Sequence, residues 1–314
     1  MWAKKPNFRQ TSTRVGSAYR SFLIGGGKMA PTLRHKQVKT ALNRQSGGFL
    51  STFTHTLQPY TGCAFGRQTP SGQGCPYCYV RKLPVSLFAL SEWGEWVEAK
   101  MNIGDVLRGE LCSHERRGTL SKLRIFMSSA TDPYQGAEAS LQLTRSCLEA
   151  FVERPPGLII VQTRSPLVLR DVELLQTLQN CVWVSMTMET NDDEVRKRIT
   201  PTSPTIGSRV KTMRILKEAG IHVQAAISPM LPNNAEMFAE LLEPACTRAL
   251  IDTLMHGDGA NGRRSKSLGM EALFAQYGYE QWYTETAHEP LLNLLRERMG
   301  SERVVFSQAG FNEF

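Results

Sequence analysis

Four short runs of β-branched and apolar residues, at 123–127, 158–162, 182–186 and 223–227, alternate with stretches of helical periodicity at 139–153, 172–179 and 208–219. Each run is of strand length, and the last helical stretch ends at Gly220, a residue suited to closing a helix in the left-handed conformation. Strands separated by helices and short loops read as parallel strands joined by right-handed crossovers. Four such units in close succession suit an open α/β barrel better than a doubly wound sheet. Upstream, residues 1–48 are polar, with glycines at 25–27 and 47–48 and little periodicity, and read as a flexible extension. The folded body is expected to begin near Phe49. Downstream, 235–250 looks helical, 250–255 reads as one more strand, and 271–299 is mainly helical with an apolar face at Leu291, Leu292, Leu294 and Leu295. Between them, 256–264 is a glycine-rich basic loop, which either lets a phosphate or cofactor come close to the backbone or forms a surface turn. The expected division is therefore an extension at 1–48, an α/β core at 49–255, and the loop with a helical C-terminal region at 256–314.

Charge sharpens the picture of the N-terminus. The 314-residue chain carries a net +8, yet its first acidic residue is Glu92: residues 1–91 hold 13 Lys and Arg, while the remainder holds 24 basic against 29 acidic residues. A basic arm on a mildly acidic body either engages phosphates, with nucleic acid as the expected partner of residues 1–48, or stands as a solvated leader. Its Arg, Ser and Thr content also suits an organelle transit peptide. No apolar run reaches the roughly 18 residues of a membrane span, and the N-terminus lacks the apolar stretch of a secretory signal. A soluble, cytoplasmic protein with no membrane partner is expected, with 41% hydrophobic residues available for a large core.

The seven cysteines are odd in number and unevenly spaced, unlike the paired framework of a secreted protein. Three of them, Cys63, Cys75 and Cys78, are spaced C-x11-C-x2-C on a glycine-rich segment. A structural zinc site normally closes with a fourth Cys or His, and a simple electron-transfer 4Fe-4S cluster takes four thiolates. Three thiols leave one iron of such a cluster open to a small molecule. His55 is the residue that would complete a zinc site instead.

The segment Gln58-Pro59-Tyr60-Thr61-Gly62-Cys63, followed by Cys75-Pro76-Tyr77-Cys78-Tyr79-Val80-Arg81, resembles the signature of radical S-adenosylmethionine (SAM) enzymes of the spore photoproduct lyase-like, or DNA repair photolyase-like, group. Further elements follow in the family's order: Thr131-Asp132-Pro133-Tyr134-Gln135, Thr163-Arg164-Ser165, Thr200-Pro201-Thr202-Ser203-Pro204 with Arg209, and Ser228-Pro229-Met230-Leu231-Pro232. The resemblance covers residues 49–268. It implies a partial (β/α)6 TIM-like barrel, with a 4Fe-4S cluster on Cys63, Cys75 and Cys78 at its C-terminal mouth and SAM chelated to the open iron. Tyr77 falls where the family contacts adenine, and Arg164 where a basic residue pairs with the SAM carboxylate. Ser185 and Glu189 fall at ribose and methionine contacts, and Ser128, Ser129 and Asp132 on the amino-group side. Phe65, Tyr79, Leu83, Phe88 and Trp93 would shield the site from water or simply fill the core. The reaction implied is reductive cleavage of SAM to a 5′-deoxyadenosyl radical, fed by an electron donor such as flavodoxin or ferredoxin.

The chain also departs from that pattern. The family's first spacing is C-x3-C, and here residues 64–74 form an insertion. Spore photoproduct lyases carry a hydrogen-returning cysteine where this chain has Ser129, or Ala130 with a one-residue shift, so reversal of a thymine dimer by that route is not implied. Among the other thiols Cys147 and Cys181 lie in apolar patterns and read as buried, which leaves Cys112 as the hydrogen-donor candidate. Two rival readings are a radical SAM maturase of a peptide or small metabolite and a non-catalytic, zinc-stabilised nucleic-acid-binding protein.

Overall fold

The structure, a computed structural model, describes residues 30–312 and 314. Residues 31–314 form one compact unit. Its backbone is an eight-stranded sheet of β1 (Leu42–Arg44), β2 (His55–Leu57), β3 (Arg124–Met127), β4 (Leu158–Thr163), β5 (Val182–Thr187), β6 (His222–Ile227), β7 (Arg248–Ile251) and β8 (Val304–Phe306). The strands lie side by side in chain order; β1 pairs antiparallel with β2, and every later neighbour is parallel. A strict sequential order has no reversal point, which separates it from a doubly wound sheet. Helices α1 (Ile103–Arg116), α2 (Leu143–Glu153), α3 (Val172–Thr177), α4 (Ile206–Glu218), α5 (Ala235–Leu242) and α6 (Glu289–Met299) make the successive crossovers. Right-handed crossovers that always step the same way keep their helices on one face of the sheet.

Alternation along each strand divides the core in two. Ile125, Met127, Ile159, Val161, Val184 and Met186 join the helices' Leu148, Phe151, Val168 and Met213 in the larger cluster. The opposite face carries Phe126, Leu158, Ile160, Leu250 and Val305, which meet Phe53 and Phe311 in a second cluster. Phe126 on β3 and Leu250 on β7 therefore share one cluster across a wide span of sheet. The helix Ser307–Asn312 packs on this second face: Phe311 lies 5.0 Å from Phe49 between ring centroids, and Gln308 Nε2 donates to the Gly48 carbonyl at 2.9 Å.

Several expected boundaries move. The folded body begins before Phe49: Thr32–Lys36 pairs in parallel with Trp96–Lys100, and Ala41 and Leu42 are buried. All five residues of that first strand are exposed; backbone pairing and the Lys36–Glu98 ion pair (3.1 Å) hold it, and no hydrophobic period announces it. The rest of the expected extension, residues 1–29, lies outside the described residues. The helix expected at 139–153 is broken by Gln142, whose φ of 53° is left-handed, into Glu138–Leu141 and α2. Gly220 does close α4, with φ 81°. The C-terminal region is not a separate helical segment, because α6 and β8 complete the main sheet. No helix among the described residues is long and apolar enough to cross a membrane.

Candidate functional site

Residues at the C-terminal ends of β3 to β7 line a cavity of about 520 Å³. Cys63, Cys75, Cys78, Tyr77, Ser128, Ser129, Asp132 and Arg164 all line it. Tertiary contacts set the cysteine loop from three sides. From the turn after β3, Gln135 Oε1 accepts from Ala64 N at 2.9 Å, and both Thr131 and Gln135 donate to the Gly62 carbonyl. From the segment before α4, Thr202 Oγ1 donates to the Phe65 carbonyl at 2.5 Å. Arg81 ties the two ends of the insertion together, donating through Nη2 to the carbonyls of Gly66 (2.7 Å) and Gly74 (3.1 Å). The insertion itself folds as a small hairpin of Gln68–Thr69 and Gly72–Gln73. Gly62 has φ 81°, and a Cβ there would lie 2.4 Å from the Trp96 carbonyl, so only glycine fits beside Cys63.

A buried network backs the thiols. Arg164 Nη1 lies 3.0 Å from Cys75 Sγ, 2.9 Å from Ser203 Oγ and 3.0 Å from Glu189 Oε1. Glu189 also accepts from Tyr77 Oη at 2.7 Å and from Arg209 Nη1 at 2.6 Å. Burial alone would raise the Glu189 pKa; Arg164 and Arg209 outweigh it and bring it down to about 2. Burial raises the Cys63 thiol to about 12 and Cys75 to about 11, the latter against the pull of Arg164. The bare thiols are therefore protonated at neutral pH, and any metal must displace those protons.

The expected site residues divide into those that face the cavity and those that do not. Asp132 lines it, but its carboxylate is already engaged by Tyr134 N, Thr163 Oγ1 and Arg164 N, so it holds the β3 turn to the end of β4. Ser129 Oγ accepts from Gln58 Nε2, and its carbonyl accepts from Tyr79 Oη. Ser128 is 2% exposed, and its hydroxyl has no partner among the protein groups. Ser185 lies off the cavity lining: it sits within β5 rather than at its end, and its hydroxyl accepts from Gln224 Nε2 on β6. Glu189 is likewise outside the lining, behind Tyr77 and Arg164. Cys112 is half-buried on α1, which packs against α2 on the helical side of the sheet, and it does not line the cavity. His55 starts β2, at the far end of that strand from Cys63; its Nδ1 contacts Thr54 Oγ1 and its ring meets His114, so it completes no zinc site. Phe65, Tyr79, Leu83 and Trp93 line the cavity, whereas Phe88 is exposed.

Sequence reasoning missed the Arg81 clamp and the use of Asp258. The Asp258 carboxylate accepts from the backbone N–H groups of Ala260, Gly262, Arg264 and Ser265. The glycine-rich loop thus spends on its own carboxylate the N–H groups a phosphate would need, and the only signal was an Asp placed ahead of the glycines. Among the described residues no three His, Cys, Asp or Glu side chains converge as they would on a single metal ion. A cluster of several irons asks for no such convergence, because its thiolates bind different irons. The donor set fits that group: three thiols reach one cavity, and no histidine or fourth cysteine lines it.

A sequential parallel sheet with a three-cysteine loop at its C-terminal ends defines a class, and the chain belongs to the radical SAM superfamily, matched over residues 57–245. Membership implies SAM and an iron–sulfur cluster. An uncharacterized protein of Methanocaldococcus jannaschii is 30% identical over 179 residues, 57% of this chain and 61% of that protein. An uncharacterized protein of Mycobacterium tuberculosis is 26% identical over 198 residues, 62% of this chain and 54% of that one. The chain thus matches less than two thirds of either relative's length. Among solved structures, spore photoproduct lyase complexed with dinucleoside spore photoproduct is similar with a TM-score of 0.60 at 11% identity, over 88% of this chain and 81% of that one. A variant of that lyase with bound AdoMet and the same dinucleoside gives 0.59 at 12% identity, over 96% and 87%. At such identity the likeness speaks for the fold.

Proposed function

We propose that Cys63, Cys75 and Cys78 hold a 4Fe-4S cluster with one iron left for SAM, and that the chain uses this pair on a substrate held over the cavity, nucleic acid being the class to test first. The reading is carried by three thiols from one loop meeting in a cavity without a fourth thiol or a histidine, with Arg164 on Cys75. When bound, the group supplies one-electron cleavage of SAM to methionine and a 5′-deoxyadenosyl radical able to take hydrogen from a substrate. The chain's own part is positional. Gln135, Thr202 and Arg81 fix the loop, Arg164 offers its guanidinium fork to a carboxylate at the cavity wall, and the free Ser128 hydroxyl supplies a polar contact. Phe65, Tyr79, Leu83 and Trp93 restrict water. We further take the sheet to be a partial (β/α)6-type barrel extended by β8; the second cluster shared by β3, β4, β7 and β8 supports a sheet that curls on itself.

The test is anaerobic reconstitution with iron and sulfide, reduction with dithionite, addition of SAM, and measurement of metal content and 5′-deoxyadenosine. The native chain should bind iron and release 5′-deoxyadenosine, and Cys78→Ala should lose both. Zinc at the site with no product would overturn the enzyme reading. Nucleic acid as substrate class is supported by the acid-free first 91 residues and by the likeness to a lyase solved with a dinucleoside. Oligonucleotide binding that weakens with salt and falls on deletion of residues 1–30 is expected; its absence would favour a peptide or small metabolite.

A further inference from the structure

Among the described residues six large apolar side chains are exposed, and four of them fall within six positions: Val85 (37%), Leu87 (60%), Phe88 (84%) and Leu90 (93%). The segment is held in this conformation. It leaves Cys78 through the 3-10 turn Tyr79–Lys82, Pro84 opens the short helix Pro84–Leu87, and Leu83 and Ala89 turn inward onto Val80, Trp93 and Trp96. Its other side chains are thereby presented to solvent. An apolar group this concentrated on a surface marks an interaction site. Lys82 is exposed at its start, and the helix Arg263–Ser267, which packs against the same 3-10 turn, adds exposed Arg263 and Lys266. One exposed carboxylate, Glu92, flanks the far end.

Val85, Leu87, Phe88 and Leu90 are outside the cavity lining, whereas Tyr79, Val80, Leu83 and Trp93, before and after them in the chain, line it. We propose that Val85, Leu87, Phe88 and Leu90, with Lys82, Arg263 and Lys266, form the docking surface for an acidic one-electron donor protein of the flavodoxin or ferredoxin kind. The inference rests on the cluster reading above. In the step it serves, the reduced donor loses one electron, the cluster gains it, and no bond or proton moves. Three cations beside an apolar centre suit a partner of opposite charge, which they steer into contact. Four apolar side chains fall far short of the roughly 20–30 residues a side of a stable interface and match a brief redox encounter. A second copy of this chain fits worse, since a two-fold contact through this patch offers three cations only the single carboxylate of Glu92. Nucleic acid fits worse too, because phosphate tracking calls for cations in series rather than on one border.

The experiment uses the cluster-loaded protein without oxygen, with an acidic flavodoxin and an acidic ferredoxin as probes. Calorimetry gives binding at low and moderate salt, and bleaching of the visible absorbance gives the rate of cluster reduction by each reduced probe and by dithionite. The double variant Phe88→Ser/Leu90→Ser should weaken binding of the donor about tenfold or more, about 1.4 kcal/mol, and slow protein-driven reduction in step, with the dithionite rate unchanged. Lys82→Glu/Lys266→Glu should do the same with an effect that shrinks as salt rises. Neither probe binding the native protein, or both variants binding and accepting electrons as the native protein does, overturns the proposal. So does a loss confined to self-association or to oligonucleotide binding, which would hand the surface to those partners. If dithionite itself reduces no cluster, the cluster reading fails, and calorimetry still reports on the surface.

Discussion

Two buried acids stand just beyond the ends of strands that flank β6, Glu189 past β5 and Asp252 past β7, and both are 0% exposed. Glu189 is held by Arg164, Arg209 and Tyr77 and stays ionised, with its pKa near 2. Asp252 accepts from Thr253 N, its second oxygen lacks a partner, and burial raises its pKa from 3.8 to about 7. Burial is the same; company differs. On the cysteine side the fold surrounds charge with charge and builds a rigid wall behind the thiols. On the β7 side it buries a carboxyl that is half neutral at physiological pH.

The sharpest way to break the comparison is Arg209→Met, which leaves Glu189 with a single cation. Removing one partner of a buried pair costs about 3–5 kcal/mol, to be seen as a lower midpoint in denaturant titration. A smaller loss than about 1 kcal/mol would mean that Arg164 alone suffices. Next in size is Asp252→Asn. A carboxyl whose folded pKa is raised binds its proton more tightly in the native state, so native stability falls as pH rises from about 4 through about 7 and is level above. The Asn variant escapes that fall. It should gain on the native protein between pH 4 and pH 8 by at most ~4 kcal/mol, measured as the difference in unfolding free energy at the two ends. Glu189 has the opposite sign: its contribution is present above its ordinary 4.5 and is lost as pH falls towards 2. The smallest effect is that of Cys112→Ser on α1. Stability should change by less than about 0.5 kcal/mol, read as the shift in denaturant midpoint; a larger loss would mean that the half-buried thiol is part of the packing between α1 and α2.

Much of this was legible in the chain. The central strands β3 to β6 are local runs of apolar residues, and the cysteine motif is local too, because the spacing of three thiols on one loop is written in sequence. What the motif residues do was less legible. Thr131, Gln135 and Thr202 act by gripping a loop more than sixty residues away, and Asp132 spends its carboxylate on a strand end. The first strand at Thr32–Lys36 gave no signal, since it is held by backbone pairing with every side chain exposed.

By itself, then, the sequence determined the period of the elements and the kinds of donor on the cysteine loop, both consequences of neighbours along the chain. Tertiary structure alone decided that Ser185 and Glu189 fall behind the cavity, that Cys112 lies on the helical side of the sheet, that β8 joins the edge, and that Phe88 faces solvent. Burial and partnership are set by which segments meet, and those meetings join residues far apart in the chain.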